Sequence, residues 1–480
     1  MGAFGAPFSG RQRRAGTNTP SLADADNGFS RLDRAVYGLA LQWPEFSARK
    51  VATEAQISLL VAAVLGFLGF LAQWPRQTAD AAVCMMSAGF LLGVFTRGAL
   101  VYWGRDRSTV PPIANDLDWP VYSILVPLYR EAAVLPQLAA ALAALDYPHD
   151  KRDIHLVLEE DDSETRAAAA HFPYAQVIVP AAAPRTKPKA CTYAITACRG
   201  EFVVVFDAED RPEPDQLKKA VEAFRSHPGI SCFQARLVID RAHCWLQKMF
   251  ALDYGIWFGA LLPGLERLGA PIPLGGTSNH FRRTALVDAG LWDPFNVTED
   301  ADLGIRMARL GHKVGVLDSA TFEEAPANFA VWLRQRTRWL KGYMQTMLVH
   351  SRNPCILLRQ IGPMGLAALQ FFLGGTIWSA LVNPLLWLCW IASAFAGSLT
   401  TGALSDFAQI GGVSLFLVNA LLALLGAQHL HKGRQPSVLA VLSYPVYWLL
   451  ISIAAYRALW QLVCDPFGWE KTPHGIGTVP

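Results

Sequence analysis

Charged side chains are missing from long stretches of this 480-residue chain. Residues 55–75 contain none, and no Asp, Glu, Lys or Arg lies between Arg359 and Asp406. An α-helix needs about 20 apolar residues to cross a bilayer, and soluble helices do not stay uncharged over such lengths. These absences exclude a wholly soluble protein and predict several membrane-spanning helices.

Cysteine pairs and a strong net charge are also absent. The eight cysteines include no CxxC pair and no spacing typical of metal ligands, which argues against a zinc module and indicates a reducing compartment. The net charge of +3 gives no indication of a nucleic-acid partner. Residues 1–30 lack the apolar core of a signal peptide, so we expect them to form a poorly ordered cytosolic tail.

Apolar and polar segments alternate and divide the chain into five parts. We predict an N-terminal cytosolic tail with an amphipathic segment (1–54), two transmembrane helices (55–103), a polar α/β domain with interfacial helices (118–350), C-terminal transmembrane helices (360–430), and an interfacial helix with a polar tail (436–480). Lys and Arg are concentrated before residue 55 and after residue 103. By the positive-inside rule, this distribution places the polar domain in the cytosol.

The C-terminal apolar segments leave more than one arrangement open. We expect one long, proline-broken span within 363–397 and a return span near 408–428. Division of the first segment at Asn383–Pro384 into two short spans is an alternative. Tyr and Trp are frequent in 437–463, as in helices at the membrane surface, so we predict that this segment lies at the interface.

The polar domain alternates strand and helix patterns. The segments "YSILVPLY" (122–129), "DIHLVLEE" (153–160) and "EFVVVFDAE" (201–209) have the composition of strands, and helical patterns separate them. Such alternation is typical of a parallel sheet covered by helices, and ligands bind beyond the carboxyl ends of its strands. We therefore expect Asp161 and Asp162 to lie at the same edge as Asp207–Asp210.

The stretch "FVVVFDAEDRPEPDQL" (202–217) ends a buried strand with three acids in four positions. Carboxylates this close repel one another unless a cation or a ligand neutralises them. They would serve equally well as a solvated acidic turn before the helix that follows. This stretch alone does not decide between a ligand site and a helix start.

Three further stretches carry polar groups at predicted helix starts or on predicted helix faces. They are Thr298-Glu299-Asp300, "RQRTRWLKGYMQ" with Gln335, Arg338 and Trp339, and "PRTKPKACTYA" with Lys187 and Lys189. Taken singly, they fit an N-cap, an interfacial amphipathic helix and a solvated basic face. Their order along one chain is more informative than any of them alone.

In this order, and with membrane spans after them, these stretches resemble the family 2 glycosyltransferases of the cellulose, chitin and hyaluronan synthase type. The matching motifs are the strand-end pair Asp161-Asp162, the D-x-D-like Asp207-Ala208-Glu209, T-E-D at 298–300 and Q-x-x-R-W at 335–339. The segments "TKPKA", "DAED" and "GGTSNHFRR" look most like bacterial inner-membrane transferases of the phage-adsorption protein B type. The resemblance implies an α/β GT-A (Rossmann-like) catalytic domain embedded in an α-helical transmembrane region.

The resemblance assigns the donor side of the site. Asp207 and Glu209, with Asp210 close by, would hold Mg²⁺ or Mn²⁺ on the diphosphate of a nucleotide sugar. The family usually has Asp where this chain has Glu209, which leaves open which acid is the direct metal ligand. The resemblance also implies contacts to other parts of the nucleotide sugar. Asp161 and Asp162 would contact the uracil or ribose, and Lys187 and Lys189 would contact the phosphates.

The same resemblance assigns the acceptor side. Asp300 would be the general base that takes the proton from the attacking hydroxyl, with Glu299 orienting the site. Direct attack on a UDP-α-sugar inverts the anomeric centre and gives a β-linkage. The remaining implied contacts are Arg338 on the diphosphate, Trp339 beneath the acceptor sugar, Gln335 fixing their helix, and Gly276 and Thr277 lining the acceptor pocket.

The polar tail "DPFGWEKTPHG" (465–475) resembles the gating loop of these synthases, which closes over the bound nucleotide. Trp469, Lys471 and Thr472 match the residue types of that loop. An unstructured C-terminal tail would fit the composition nearly as well.

The resemblance implies a nucleotide-sugar-dependent hexosyltransferase of the bacterial inner membrane, with its catalytic domain in the cytosol. The leading hypothesis is a processive, inverting enzyme that polymerises a UDP-sugar into a β-linked polysaccharide and helps to move it across the membrane. Membrane lipid and periplasmic or outer-membrane export proteins would be its partners. The alternatives are a non-processive transferase that acts on a lipid carrier and a catalytically inactive membrane scaffold or receptor.

Overall fold

The polar domain is built on one mixed sheet. The computed structural model describes residues 30–104, 113, 118–326, 328–396, 417–425, 427–428 and 438–470. Its eight strands are β1 (Tyr122–Leu128), β2 (Arg152–Glu159), β3 (Ala175–Val179), β4 (Phe202–Val205), β5 (Arg211–Pro212), β6 (Ile230–Arg241), β7 (Asn279–Arg282) and β8 (Lys313–Glu324).

The strands lie in the order β3-β2-β1-β4-β7-β6-β8-β5. The first four are parallel, as the alternating pattern predicts. The short strand β7 pairs antiparallel with both β4 and β6, and β5 pairs antiparallel with β8. The long strands β6 and β8 pair parallel, so the sheet departs from the predicted parallel pairing only at β7 and β5. Strands of four and two residues carry no sequence signal of their direction.

The helices fall into a set that packs around the sheet and a set of long apolar helices. In chain order they are α1 (Arg31–Gln42), α2 (Glu54–Gln73), α3 (Pro75–Trp103), α4 (Leu135–Ala143), α5 (Ser163–Ala169), α6 (Lys187–Ala194), α7 (Gln216–Ser226), α8 (Trp245–Ile256), α9 (Leu262–Arg267), α10 (Arg283–Asp288), α11 (Glu299–Arg309), α12 (Phe329–His350), α13 (Pro354–Ala368), α14 (Gly375–Ala396), α15 (Val438–Leu442) and α16 (Tyr444–Cys464). Two π-helical turns, Trp257–Leu261 and Leu369–Gly374, join α8 to α9 and α13 to α14.

The run Phe202–Phe206 shows why five apolar residues follow one another here. Side chains of successive strand residues point to opposite faces of a sheet. Phe202, Val204 and Phe206 pack into the core beneath α4 and α7, whereas Val203 and Val205 pack into the core beneath α6 and α10. Because helices cover both faces, every position in the run is buried, and the acids begin only where the strand leaves the sheet.

The α3 helix joins the membrane region to the polar domain through two glycines. A Cβ atom on Gly104 would lie 2.3 Å from the Ala260 carbonyl oxygen, and one on Gly264 would lie 2.2 Å from the Leu100 carbonyl oxygen. Both distances are too short for any side chain, so the end of α3 packs directly on the backbone around α9. This contact fixes the height of α3 relative to the sheet.

Four helical stretches within the described residues are long and apolar enough to cross a membrane: Glu54–Gln73, Pro75–Trp103, Pro354–Ala392 and Tyr444–Cys464. The first two match the two helices predicted in 55–103, and α2 exposes apolar side chains all around, with no buried residue. Such a surface is unfavourable in water and favourable in lipid.

The C-terminal helices sharpen the predicted arrangement. The stretch Pro354–Ala392 is apolar and contains Pro363 and Pro384, and its backbone leaves the helical conformation at Gly362, where φ is 70°. By length and composition, α16 also qualifies as a candidate span, which weighs against the interfacial position that its aromatic residues suggested. The predicted return span near 408–428 lies largely outside the described residues, of which 417–425 are helical.

Candidate active site

One cavity of about 270 Å³ collects most of the motifs that the sequence singles out. We call it the central cavity. It begins at the carboxyl ends of β1 and β4 and continues between α8, α12 and the apolar helices. The predicted residues that line it are Lys187, Asp207, Glu209, Gly276, Thr277, Glu299, Asp300, Gln335, Arg338, Trp339 and Trp469.

Lys187 provides a positive charge at the acidic turn after β4. Its Nζ lies 2.5 Å from Asp207 Oδ1 and also donates to the Gly276 carbonyl oxygen. Burial lowers the pKa of Lys187, but the negative charges of Asp207, Asp300 and Glu299 outweigh it and raise the pKa above its ordinary value. The ammonium therefore stays charged and offsets part of the negative charge of the cavity.

Asp210 lies behind the cavity wall and does not line it. Its Oδ2 accepts hydrogen bonds from the Thr277 hydroxyl and, at 2.7 Å, from the Asp207 amide. Burial and the charges of Asp207 and Glu209 raise the pKa of Asp210 well above its ordinary value, which favours the protonated form. The structure thus gives Asp210 a place in holding the turn, whereas Asp207 and Glu209 line the cavity.

The donor set at this turn suits a hard divalent cation. No group of three His, Cys, Asp or Glu side chains is gathered as a metal site anywhere in the described residues. Mg²⁺ and similar ions, however, are commonly held by one or two carboxylates, with substrate phosphates and water as the other ligands. The carboxylates of Asp207 and Glu209, both at the cavity wall, meet that requirement in chemical type.

Asp300 lies in the first turn of α11, and its carboxylate accepts a hydrogen bond from an uncharged donor. Its Oδ1 accepts a hydrogen bond from Trp292 Nε1 at 3.1 Å, and the residue is only 6% exposed. Burial and the adjacent charge of Glu299 raise the pKa of Asp300 well above its ordinary value, against the lowering effects of Lys187 and Trp292. A carboxylate with a raised pKa in a cavity is suited to accept a proton from a bound hydroxyl.

The helix α12 approaches the start of α11 closely enough to share the cavity. A Cβ atom on Gly342 would lie 2.2 Å from Thr298 Oγ1, so only glycine permits this approach. Trp339 packs in tilted contact with Phe250 and Tyr254 while it lines the cavity. The Arg336 guanidinium also lies over the Trp339 ring, 4.6 Å from its centroid, so neighbouring side chains hold this ring in place at the cavity wall.

The C-terminal loop lies on α12 beside the cavity. The Lys341 ammonium donates to the Asp465 and Gly468 carbonyl oxygens at 3.0 and 2.8 Å, and Gln345 Nε2 donates to the Pro466 carbonyl oxygen at 2.9 Å. The Arg338 guanidinium then lies 5.1 Å from the Trp469 ring centroid. The segment up to residue 470 is therefore anchored at the cavity, whereas Lys471 and Thr472 lie outside the described residues.

Three predicted donor contacts do not line the cavity. Asp162 is the N-cap of α5 and accepts from the Thr165 and Arg130 amides, which is a structural position. Lys189 is fully buried and pairs at 3.0 Å with Glu159, a residue of the cavity wall, so it lies behind that wall. Asp161 lies beside the cavity and pairs at 2.5 Å with a residue of the cavity wall, Arg185.

Several residues of the site are absent from the sequence prediction. Trp292 reaches Asp300 from eight positions earlier, and Glu159 and Glu323 add carboxylates to the cavity wall. In the sequence, the feature that could have pointed to Glu159 is its position at the end of a predicted strand. Arg97 lines the far end of the cavity, and its sequence signal was its isolation as the one charge in 81–103.

Residues 120–342 match the sequence model of a family described as glycosyltransferase like family 2. The β-monoglucosyldiacylglycerol synthase of Synechocystis sp. is 30% identical over 282 residues, which cover 55% of this chain and 57% of that protein. Cellulose synthase 2 of Novacetimonas hansenii is 26% identical over 253 residues, 51% of this chain and 16% of that protein. The chain thus spans little more than half the length of the first relative and far less of the second.

Among solved structures, the chain is similar to the mannosyltransferase PcManGT from Pyrobaculum calidifontis in complex with GDP-Man and Mn²⁺. The TM-score is 0.55 at 19% sequence identity, over 80% of this chain and 99% of that chain. Likeness at this identity establishes the fold, which is the GT-A glycosyltransferase fold. The family match covers a little under half of the chain and shows that residues 120–342 are similar to the family 2 glycosyltransferases.

Proposed function

We propose that this chain is an inverting glycosyltransferase that takes sugar from a nucleotide diphosphate donor and extends a β-linked polysaccharide processively at the bacterial inner membrane. The proposal rests on one observation, which is that one cavity is lined by three kinds of group. They are carboxylates suited to bind a metal–diphosphate, a carboxylate suited to abstract a proton, and an arginine. Those groups are Asp207, Glu209, Asp300 and Arg338. Their convergence argues against an inactive scaffold.

The donor would lie over the turn after β4. Asp207 and Glu209 would hold Mg²⁺ or Mn²⁺, which neutralises the diphosphate and makes it a better leaving group. Lys187 already pairs with Asp207 at 2.5 Å and is placed to shift towards a phosphate oxygen. Arg338, which lines the same cavity, would stabilise the charge that develops as the bond to the sugar breaks.

Asp300 would act as the general base. As the acceptor hydroxyl attacks the anomeric carbon, its proton passes to the Asp300 carboxylate while the bond to the diphosphate breaks. A single displacement inverts the anomeric centre, so an α-linked donor gives a β-linked product. Trp292 would keep the Asp300 carboxylate aimed at the acceptor through its indole N–H.

The acceptor side favours a substrate that comes from the membrane. The central cavity does not end at the polar domain but continues to side chains of α3, α14 and α16, among them Arg97, Thr376 and Trp448. A growing sugar chain could leave the site in that direction, which supports processive extension coupled to translocation. The polar domain would then lie on the cytosolic side, and export proteins would receive the product beyond the membrane.

A second candidate is a single transfer to a membrane lipid. The relative that is 30% identical is named as a synthase of a glucosyl lipid. The far part of the cavity is also lined by apolar side chains, such as Leu261, Leu422 and Ile451, which would suit a lipid chain. The two candidates share donor chemistry and differ in the acceptor and in the number of sugars added.

The test uses purified protein in lipid nanodiscs with Mg²⁺ or Mn²⁺ and a panel of UDP- and GDP-sugars. We expect one donor to release nucleotide, and both EDTA and Asp300→Asn to abolish the release. Asp318→Asn, a substitution outside the cavity, is the matched control and should keep the activity. Absence of turnover with every donor in a folded protein would contradict the proposal.

Product size then separates the two candidates. A high-molecular-weight product from that donor supports processive extension. A glycolipid that carries one sugar supports the single transfer instead.

A further inference from the structure

Arg97 is a buried charge within an apolar helix. It is the one charged residue in 81–103, it is only 5% exposed, and it lines the end of the central cavity that lies among the apolar helices. Placing an ionisable side chain within a membrane span costs free energy, and such residues usually mark a ligand or ion site. The position of Arg97 in a cavity wall therefore calls for a ligand that compensates its charge.

The contacts of Arg97 leave its charge without a carboxylate partner. Nη2 lies 3.2 Å from Thr376 Oγ1, whose own hydroxyl donates to the Phe372 carbonyl oxygen. The guanidinium carbon lies 4.6 Å from the centroid of the Trp448 ring. Across the described ranges, no acid lies within ion-pair distance of Arg97. Since a guanidinium has five N–H donors, several remain to face the cavity.

The acid that lines this end of the cavity is already engaged. Asp253 pairs with Arg336 at 2.6 Å and accepts a hydrogen bond from the Tyr444 hydroxyl at 2.8 Å. Arg97 and Arg336 line this end of the cavity with one carboxylate between them in number, that of Asp253, and Asp253 forms its ion pair with Arg336. The cluster carries a net positive charge, which favours an anionic ligand over a neutral sugar. The face of Trp448 is also covered by Arg97 and is not offered to a sugar ring.

The height of Arg97 suits a lipid phosphate. A helix of 29 residues such as α3 is roughly 43 Å long, longer than the hydrocarbon core of about 30 Å. Arg97 lies six residues before Trp103, about 9 Å from the end that packs on the polar domain. With the polar domain in the cytosol, this places the guanidinium close to the phosphate level of the cytosolic leaflet.

We propose that Arg97, with Thr376 and Trp448 holding its guanidinium, binds the phosphate group of a membrane lipid in the central cavity, and that a hydroxyl-bearing group on that phosphate extends towards Asp300 as acceptor or primer. This inference rests on the proposed transferase function and adds the chemical class of the acceptor. Phosphate matches the planar donors of a guanidinium with two parallel hydrogen bonds. The lipid chain would lie along the apolar wall that includes Leu422 and Ile451.

The test measures lipid retention, which does not depend on turnover. The full chain is reconstituted in phosphatidylcholine nanodiscs that contain a trace of radiolabelled polyprenyl phosphate or, in a parallel arm, the uncharged polyprenol. Lipid that remains bound after detergent extraction and size-exclusion chromatography is counted. We expect wild type to retain the phosphate lipid and not the polyprenol, and Arg97→Gln to retain about tenfold less.

Two further variants keep the test informative if Arg97→Gln folds poorly. Arg97→Lys keeps the charge and should retain an intermediate amount of the phosphate lipid. Arg76→Gln removes an exposed arginine at the other end of the same helix and should retain as much as wild type. Equal retention by wild type and folded Arg97→Gln would overturn the inference, as would equal retention of polyprenol.

Two controls separate this inference from the function on which it rests. Excess inorganic phosphate should not displace the lipid, and displacement at low concentration would mean that the site takes free phosphate instead. Donor turnover by wild type is measured in the same nanodiscs. Turnover without lipid retention contradicts only the phosphate site, whereas retention without turnover for any donor contradicts the transferase function.

Discussion

Two acidic pairs face the central cavity, and they differ in how exposed their carboxylates are. The side chain of Asp207, in the turn after β4, is 34% exposed and lies 2.5 Å from a lysine ammonium. Asp300, at the start of α11, is 6% exposed and accepts a bond from a neutral indole. The exposed acid can meet a cation and its water, whereas burial raises the pKa of the other and suits it to carry a proton. Similar carboxylate side chains are therefore suited to bind a cation at one edge of the cavity and to accept a proton at another.

The largest expected effect tests the proton-transfer half of this comparison. Asp300→Asn keeps the shape and the Trp292 contact but cannot accept a proton, so we expect kcat to fall by about 10³-fold. Glu299→Gln removes a neighbouring charge without removing the base and should cost far less. Nucleotide release from the active donor measures both. An Asp300→Asn variant with near wild-type kcat would assign the base elsewhere.

The next effect tests the charge-binding half. Asp207→Asn weakens the hold on a metal–diphosphate, and we expect turnover to fall by about 10²-fold and the Mg²⁺ or Mn²⁺ concentration needed for half-maximal activity to rise. Asp210→Asn, three residues on, is the matched control. Its two accepted hydrogen bonds can be kept by the amide oxygen, so activity should fall less than about tenfold. A larger loss in Asp210→Asn than in Asp207→Asn would make Asp210 the metal ligand.

A smaller effect concerns the pH dependence of the base. Asp300 must be deprotonated to act, so activity falls as the pH drops through its raised pKa. The Trp292 N–H stabilises the charged form, and Trp292→Phe should raise that pKa and move the acidic limb of kcat/KM upward by about one pH unit. Trp245→Phe, whose indole bonds to Ser443 far from α11, should leave the limb in place. An unchanged limb in Trp292→Phe would show that another group sets it.

The smallest expected effect tests the departure from the D-x-D pattern. Glu209→Asp restores the usual residue and shortens the side chain by one methylene. Because both are hard oxygen ligands at the same cavity wall, we expect turnover to change by no more than about threefold. Metal titration of nucleotide release would measure it. A larger loss would mean that the local backbone has adapted to the longer Glu209 side chain.

Much of the fold follows from local patterns. The uncharged stretches predict the apolar helices, and the Phe202–Phe206 run predicts a strand buried on both faces with acids at its end. The direction of β7 is not predicted, because its four residues pair with strands more than forty positions away in sequence. Whether α16 lies at the membrane surface or spans the membrane also depends on the helices that pack against it, and its own composition does not reveal them.

The sequence by itself determined which residue types meet at the carboxyl ends of the strands and which segments are too apolar for water. Only the tertiary structure decided which member of each pair faces the cavity. Lys187 and Lys189 stand two positions apart on one helix and Asp207 and Asp210 in one turn, so side-chain direction, not spacing, separates the cavity residue from the buried one. Contacts such as Trp292 to Asp300 and Arg97 to Trp448 likewise depend on packing between elements. Packing is a three-dimensional property, and no local pattern encodes it.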